Sequence, residues 1–425
     1  MSELPTGWEL STLGGIGRYI NGRGFKKVEW RDSGRPIIRI QNLTGSSKST
    51  NYFDGEVDAR HEVSPGDLLV SWAATLGVFV WSGQDAVLNQ HIFKVQSQID
   101  PDFHRYLLEF VLADLKRQTQ GSGMVHITKG KFEATEVPLP PLPEQRRIVA
   151  AIEEHFSRLD AAQVALQRAL VRAEHLVRSK REQEFGEENE LFAIEEIADE
   201  APRSLAIGPF GSNLKVADYR ERGVPLVFVR DIRRREFGGD GTRFVDLEKA
   251  AALDAHSVRH GDVLVTKMGD PPGDVALYEG PDAIITADCI KISPGPSVRA
   301  DFLMEALQTS RAQREILSIT KGVAQRKVSL GRFRKSVFVP KPELTRQCQI
   351  VESIQSMAEI TSRMSGEVNV ALSKLTALRR SVLAAAFSGR LASQDPSDEP
   401  ASMLLERIAA ERAAAKTPRK KKALK

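Results

Sequence analysis

V-P-L-P-P-L-P-E-Q-R-R-I-V-A-A-I-E-E-H-F-S-R-L-D, from Val137 to Asp160, is the stretch whose reading decides the fold. Its prolines end whatever precedes them, and a helical pattern begins at once. Apolar or small residues fall at Val149, Ile152, Phe156, Leu159, Leu166, Leu170, Ala173 and Val177, three and four apart except where Gln163 takes a turn. That is the period of a coiled-coil seam. A second proline-led segment, V-F-V-P-K-P-E-L-T-R-Q-C-Q-I-V-E-S-I (Val337 to Ile354), leads into Ile350, Ile354, Met357, Met364, Val368, Ala371, Leu375, Leu378 and Val382, with Thr361 as the polar intruder. Two long helices are therefore expected, each introduced in the same way.

Outward from these helices the chain reads as a duplication. Leu10, Leu13 and Ile16 match Leu191, Ile194 and Ile197, and G-R-P-I-I-R-I-Q-N-L (34 to 43) matches G-V-P-L-V-F-V-R-D-I (223 to 232). V-S-P-G-D-L-L-V-S (63 to 71) matches V-R-H-G-D-V-L-V-T (258 to 266), and H-I-F-K-V (91 to 95) matches C-I-K-I (289 to 292). The turn residues and apolar runs read as strands. Asp102-Phe103 and Asp301-Phe302 each stand where an aspartate side chain caps a helix, and Gly123 to Phe132 and Gly322 to Phe333 close the copies before the prolines. The offset grows steadily from 181 to 202, so the matches are colinear.

The expectation is an α+β protein: a globular domain over 1–143, a long helix over 144–186, a second domain over 187–345, a second long helix over 346–392, and a C-terminal helix with a basic tail over 393–425. A helix of about 40 residues is about 60 Å long and cannot bury its seam alone. Antiparallel pairing of the two is the economical solution and would give a pseudo-two-fold internal repeat.

At 425 residues the chain is long enough for two to four units. Its two cysteines, Cys289 and Cys348, make no disulfide framework, and no histidine or cysteine spacing suggests a metal site. The polar N-terminus is unlike a secretory signal, and the apolar-leaning run from Leu69 to Trp81 is too short to span a bilayer, so a cytoplasmic protein is expected. Net charge is +4, of which the tail from Lys416 to Lys425 supplies six positive charges, so any nucleic-acid reading rests on local patches. The clearest patch runs from Ile316 to Lys341, with seven basic residues and no acidic one.

P-L-P-P-L-P-E-Q-R-R-I-V (138 to 149), G-P-F-G-S-N-L-K (208 to 215), V-L-N-Q-H-I (87 to 92) and the closing L-R-R-S-V-L-A-A-A-F-S-G-R-L (378 to 391) together resemble the specificity subunit of type I restriction-modification systems. The resemblance spans essentially the whole chain, duplication included. It implies that each domain is a target recognition domain reading one half of a bipartite site in double-stranded DNA. The helix pair would be the ruler between the halves and the scaffold for two methyltransferase subunits, joined by motor-nuclease subunits. S-adenosylmethionine, ATP and Mg would belong to those partners and not to this chain, and no membrane is involved.

Motifs for chemistry of the chain's own fall short. D-P-P-G (270 to 273) lacks the aromatic with which amino-methyltransferases stack a flipped adenine. In P-D-A-I-I-T-A-D-C-I-K (281 to 291) the lysine follows Asp288 by three residues where metal nucleases need two, which puts it on the opposite face of a strand. Lys129-Gly130-Lys131 lacks the rest of a phosphate loop. No catalytic residue is expected.

Base and phosphate contacts need Arg, Lys, Asn, Gln or hydroxyl groups on exposed loops. In the first domain these are Arg23, Lys26, Lys27, Gln41 and Asn42 at a strand end, Asn89, Gln90, His126 and Lys129. In the second they are Ser212, Asn213, Lys215, Arg230, Arg233, Arg234, Lys267, Gln325, Arg326 and Lys327. The outer faces of the first long helix, around Glu153, Glu154, Arg158 and Arg168, are the expected dock for the catalytic partners. The rival readings are a non-DNA adapter holding two protein partners at fixed separation, and a lone nuclease or methyltransferase.

Overall fold

The prolines do end one element and start another. In the computed structural model, which describes residues 4–47, 49–73, 75–118, 128–188, 190–322 and 326–416, a strand at Glu136–Leu139 is followed by a helix over Leu142–Gly186, and a strand at Phe338–Pro340 by a helix over Leu344–Ala386. The second helix stops six residues short of the expected 392. Gly389, at φ +70°, supplies the left-handed turn, and the N–H of Arg390 donates to the carbonyl of Ala385 at 2.9 Å. A third helix, Ala401–Lys416, follows. His126, Gln325 and the tail beyond Lys416 lie outside the described residues.

The chain folds as two compact units, one of residues 1–165 with 371–425, the other of residues 166–370. Each long helix thus contributes to both. The first unit contains β1 (Glu9–Thr12), β2 (Gly17–Asn21), β3 (Arg35–Ile38), β4 (Tyr52–Phe53), β5 (Glu62–Val63), β6 (Leu68–Ser71), β7 (Gly77–Val80), β8 (Ala86–Leu88), β9 (Ile92–Ser97) and β10 (Glu136–Leu139). The second contains β11 (Leu191–Ala193), β12 (Leu205–Ile207), β13 (Val224–Val227), β14 (Arg243–Val245), β15 (Ser257–Val258), β16 (Val263–Thr266), β17 (Val275–Leu277), β18 (Ala283–Ile285), β19 (Cys289–Ile292), β20 (Thr320–Lys321), β21 (Lys327–Val328) and β22 (Phe338–Pro340).

The three sheets of the first unit recur in the second, which among the described residues adds the hairpin pair β20-β21. An antiparallel sheet ordered β2-β9-β6-β7 answers to β12-β19-β16-β17, and the pair β1-β10 answers to β11-β22. A mixed sheet ordered β4-β3-β8-β5 answers to β14-β13-β18-β15. Even the register repeats, with Leu68 opposite Val95 in one copy and Val263 opposite Ile292 in the other. The parallel pairs, β3 with β8 and β13 with β18, are joined by long crossovers that carry the intervening strands, as parallel neighbours require.

Each core closes over the ends of both helices. In the first unit Phe93, Phe103, Leu107 and Phe132 pack with Ile148 and Ile152 of the first long helix, Ala386 of the second, and Leu404 and Ile408 of the C-terminal helix. In the second, Phe302, Leu303 and Phe333 pack with Phe185 from the end of the first helix and Ile350 and Ile354 from the start of the second. Burying each such side chain contributes about 1.5–3 kcal/mol.

The helices pair antiparallel within each unit. In the first unit Arg379 pairs with Asp160 and stacks over Phe156 at 4.8 Å. In the second, Arg346 pairs with Glu187 and Glu188 at 3.1 and 3.0 Å, and Ser353 donates to Glu184 at 2.7 Å. The first seam lies as the sequence indicated, with all eight positions shielded from full exposure. The second departs from expectation at two positions: Met364 and Leu378 face outward, 41% and 49% exposed. After the buried Thr361 the shielded positions are Ser365, Val368, Ala371, Leu372, Leu375, Arg379 and Val382, so Val368, Ala371, Leu375 and Val382 lie as expected while Ser365 and Arg379 stand in for Met364 and Leu378. The step past Thr361 is four residues where three were expected, and the alternation then continues from there.

A buried glutamine fastens each proline elbow. Gln145 accepts from the backbone N–H of Asp100 at 3.0 Å and donates to the carbonyl of Pro140 at 2.9 Å. Gln347 accepts from the N–H of Arg299 at 2.9 Å and donates to the carbonyls of Pro342 and Ser297 at 2.7 and 2.9 Å. The helix caps differ from expectation. Pro101 occupies the first helical position, so Asp100, not Asp102, accepts from the N–H groups of residues 102 and 103, at 3.1 and 3.0 Å. In the second copy the cap residue is Arg299, whose side chain instead pairs with Asp301 at 2.6 Å.

Candidate nucleic-acid interface

One loop recurs on both domains and carries six of the expected contact residues: Arg23, Lys26 and Lys27 in the first, Ser212, Asn213 and Lys215 in the second. It follows β2 in the first and β12 in the second, and it opens with a glycine pressed on another turn. A Cβ on Gly22 would stand 2.2 Å from the Asn89 carbonyl oxygen, and one on Gly208 would stand 2.0 Å from the carbonyl of Thr286. Only glycine permits that approach. Each loop then winds into a short 3-10 turn, Lys27–Glu29 or Val216–Asp218.

The local wiring is identical. The N–H of Lys26 donates to Glu29 at 2.7 Å, and that of Lys215 to Asp218 at 2.7 Å. Arg31 donates to the carbonyls of Val28 and Trp30, and Arg220 to those of Ala217 and Tyr219. Lys26 and Lys215 are thus equivalent, and both side chains are exposed. The Lys215 N–H, with Lys249 nearby, holds the Asp218 carboxyl below its usual range. Lys-x-x-(Glu/Asp)-x-Arg is the sequence signal for this turn, and it becomes readable only when the copies are aligned on it.

Around the first loop the structure brings Arg23 beside Asn89 through a parallel bridge, with Gln90 close to Gly24. Arg23 is not free to read a base. Its guanidinium pairs with Glu29 and lies 4.4 Å from the Phe25 ring centroid and 5.0 Å from that of Phe53. Gln41 and Asn42 do not end a strand; they sit in a one-turn helix, Ile40–Thr44, that follows β3. Asn42 is consumed there, accepting from the Arg39 N–H at 3.1 Å and donating to the Ser49 carbonyl at 3.2 Å. Gln41, Lys27 and Gln90 are exposed. Lys129 lies apart, paired with Glu133 at 3.5 Å in a cleft of about 550 Å³ that Arg18 and Arg412 also line.

In the second domain the basic residues converge on the Met268–Asp274 turn, the segment containing D-P-P-G. Lys327 bridges to Met268, Arg326 faces Asp270 at 3.7 Å, and Arg233 pairs with Asp274 at 2.8 Å. Lys267 donates to the Ala287 carbonyl at 3.3 Å, which ties this turn to the one on which Gly208 rests. Ser212 and Asn213 are exposed on the loop, and Arg234 is exposed on the helix Val229–Arg234. Arg230 instead turns to the Gly241 carbonyl at 2.8 Å. Phe210, 69% exposed between Pro209 and Gly211, was not among the expected residues. An exposed aromatic on a loop rich in donors offers a face for stacking on a base.

Of the expected docking residues, Glu154 and Arg158 form an exposed pair at 2.6 Å and Arg168 is exposed. Glu153 points back to its own domain, 3.8 Å from Arg105, whose guanidinium lies over Tyr106 at 3.9 Å.

Residues 5–168 match the family described as type I restriction modification DNA specificity domain. The chain is 27% identical to the EcoBI specificity subunit of Escherichia coli over 99% of this chain and 96% of that one. Over residues 5–168 this chain carries the type I restriction-modification specificity domain, and over its whole length it is similar to specificity subunits. It is also 23% identical to the EcoKI specificity subunit of Escherichia coli K12 over 99% of both chains. Its fold is that of a chain solved in work on complex assembly and conformational transition of a type I restriction-modification system, with a TM-score of 0.67 at 19% identity over 92% of this chain and all of that one. Specificity subunits are non-catalytic and work in complexes with other subunits. Among the described residues no helix is long and apolar enough to cross a membrane.

Proposed function

We propose that this chain chooses the DNA sequence for a type I restriction-modification complex, each domain reading one half of a bipartite site in double-stranded DNA. The observation that carries this is the repeated loop: two copies of one fold present equivalent exposed lysines, Lys26 and Lys215, from identically wired turns. Phosphate contacts by such lysines fix register, and neighbouring amides and Arg side chains read base edges. The paired helices set the spacer and carry two adenine methyltransferase subunits on their outer faces, where Glu154, Arg158 and Arg168 are exposed. Motor-nuclease subunits complete the assembly in the cytoplasm. S-adenosylmethionine, ATP and Mg belong to those partners.

The test is a domain exchange. Residues 1–136 are replaced by the same domain of another specificity subunit, and methylated sites are sequenced in cells that supply the partners. One half of the recognised sequence should change and the other stay as it was. A change in both halves, or in neither, removes the half-site reading.

A further inference from the structure

The duplication supplies an internal control for a buried lysine. Lys94 on β9 and Lys291 on β19 are equivalent: Lys94 lies opposite Leu69, and Lys291 opposite Leu264. In the first copy the Lys94 ammonium is satisfied, donating to Asp67 at 2.6 Å and to the Glu62 carbonyl at 2.9 Å. The second copy keeps the aspartate, Asp262, and its turn contact with the N–H of Arg259 at 2.8 Å. There, however, Asp262 accepts from the Ser293 hydroxyl at 2.5 Å. Among the described residues neither the Lys291 ammonium nor the Arg259 guanidinium has a hydrogen bond or ion pair.

Lys291 is nonetheless 7% exposed, and it faces a cleft of about 470 Å³. The cleft is also lined by Arg203, Arg259 and the hydroxyls of Ser204, Ser257 and Ser293. Three carboxylates border it, and each is already engaged. Asp254 pairs with Arg203 at 3.0 Å, Asp199 accepts from the Ala201 N–H at 2.7 Å, and Asp262 is held as described. Burial pushes the Lys291 ammonium below its ordinary range, with Asp262 and Asp254 pulling the other way and Arg259 and Arg203 adding to the fall. The Lys291 ammonium opens only onto this cleft, where an anion would replace the hydration that its mostly buried side chain has lost. Two cations with free donors among hydroxyls match the oxygens of a tetrahedral anion.

We infer that the cleft between Arg203, Arg259 and Lys291 is a binding site for a phosphate group, present in the second recognition domain and absent from the first. The site lies at the start of β16, whereas Lys267 and the basic turn lie past its other end. The phosphate can come from a free phosphate-bearing solute or from the DNA backbone.

Inorganic phosphate titrated calorimetrically into the full-length chain, at ionic strength held constant with chloride, tests this. One saturable site is expected. Lys291→Met, close in shape, and Arg259→Gln, on an exposed side chain that leaves the fold intact, should each weaken it by about tenfold, the loss of one charge-assisted hydrogen bond. Lys94→Met should leave it unchanged. Repeating the titration with duplex DNA bound separates the sources: phosphate binding that persists marks a free solute, and binding that DNA abolishes marks a backbone phosphate. No saturable phosphate binding by the wild-type chain, or wild-type binding by Arg259→Gln, overturns the site.

Discussion

Gln145 and Gln347 occupy matching positions, and at the scale of single residues each latches a domain to the start of its long helix. Both are wholly buried, and each joins the backbone before a domain helix to the carbonyl of a proline. Gln145→Leu would strand the Asp100 N–H and the Pro140 carbonyl inside the first unit. We expect a loss of about 2–4 kcal/mol by urea denaturation, and the same for Gln347→Leu in the second; a loss below about 0.5 kcal/mol would show the latch to be idle. His104 gives the first unit an acid sensitivity. It bonds to the Tyr19 hydroxyl at 2.8 Å and to Ser97 at 2.9 Å, and burial pushes its imidazole down from 6.5 to about 3. The unfolded chain therefore binds the extra proton between those values. The contribution is whole above pH 6.5 and is lost progressively as pH falls toward 3, amounting to several kcal/mol. His104→Gln should flatten that slope in hydrogen exchange of the first unit, and an unchanged slope would assign it to other groups. Residue type and loop position singled out Lys26 and Lys215, which stand exposed on equivalent turns. They did not show that Glu29 captures Arg23 or that the Ser49 carbonyl captures Asn42, because such capture depends on backbone geometry.

At the scale of elements, the long helices were legible because a three-four rhythm over 40 residues has no other physical reading. Their ends were less so: the helix beyond Val382 stops at a left-handed glycine whose conformation the apolar pattern does not report. The second seam shows the same limit. Leu378 is the more apolar residue, yet Arg379 faces inward, because Phe156 and Asp160 on the neighbouring helix accept a cation there. Substitution separates the faces. Leu378→Lys should change stability by less than about 0.5 kcal/mol, since its side chain already meets solvent. Ile354→Ala, in the core of the second unit, should cost about 2–4 kcal/mol. Thermal unfolding of the two variants checks the register, and comparable losses would restore the expected one.

At the scale of the whole molecule, the duplication was visible in the sequence because small insertions leave matched strands in order, but the parallel pairs β3 with β8 and β13 with β18 were not. A crossover leaves no local mark, and both partners read as ordinary apolar strands. If the paired helices set the spacer, as proposed, their length decides it. One heptad inserted after Ala165 in the first helix and another after Val370 in the second keep the seam in phase, because each adds a whole three-four period on the side facing the other. Together they lengthen the pair by about 10 Å, or about three base pairs of duplex. Methylome sequencing with the partner subunits should show both half-sites unchanged and the spacer longer by about three base pairs. Inserting the heptad in only one helix leaves seven residues unopposed, so that variant should lose stability and methylation together. A double insertion that methylated the original spacer would mean that something other than helix length separates the two readings.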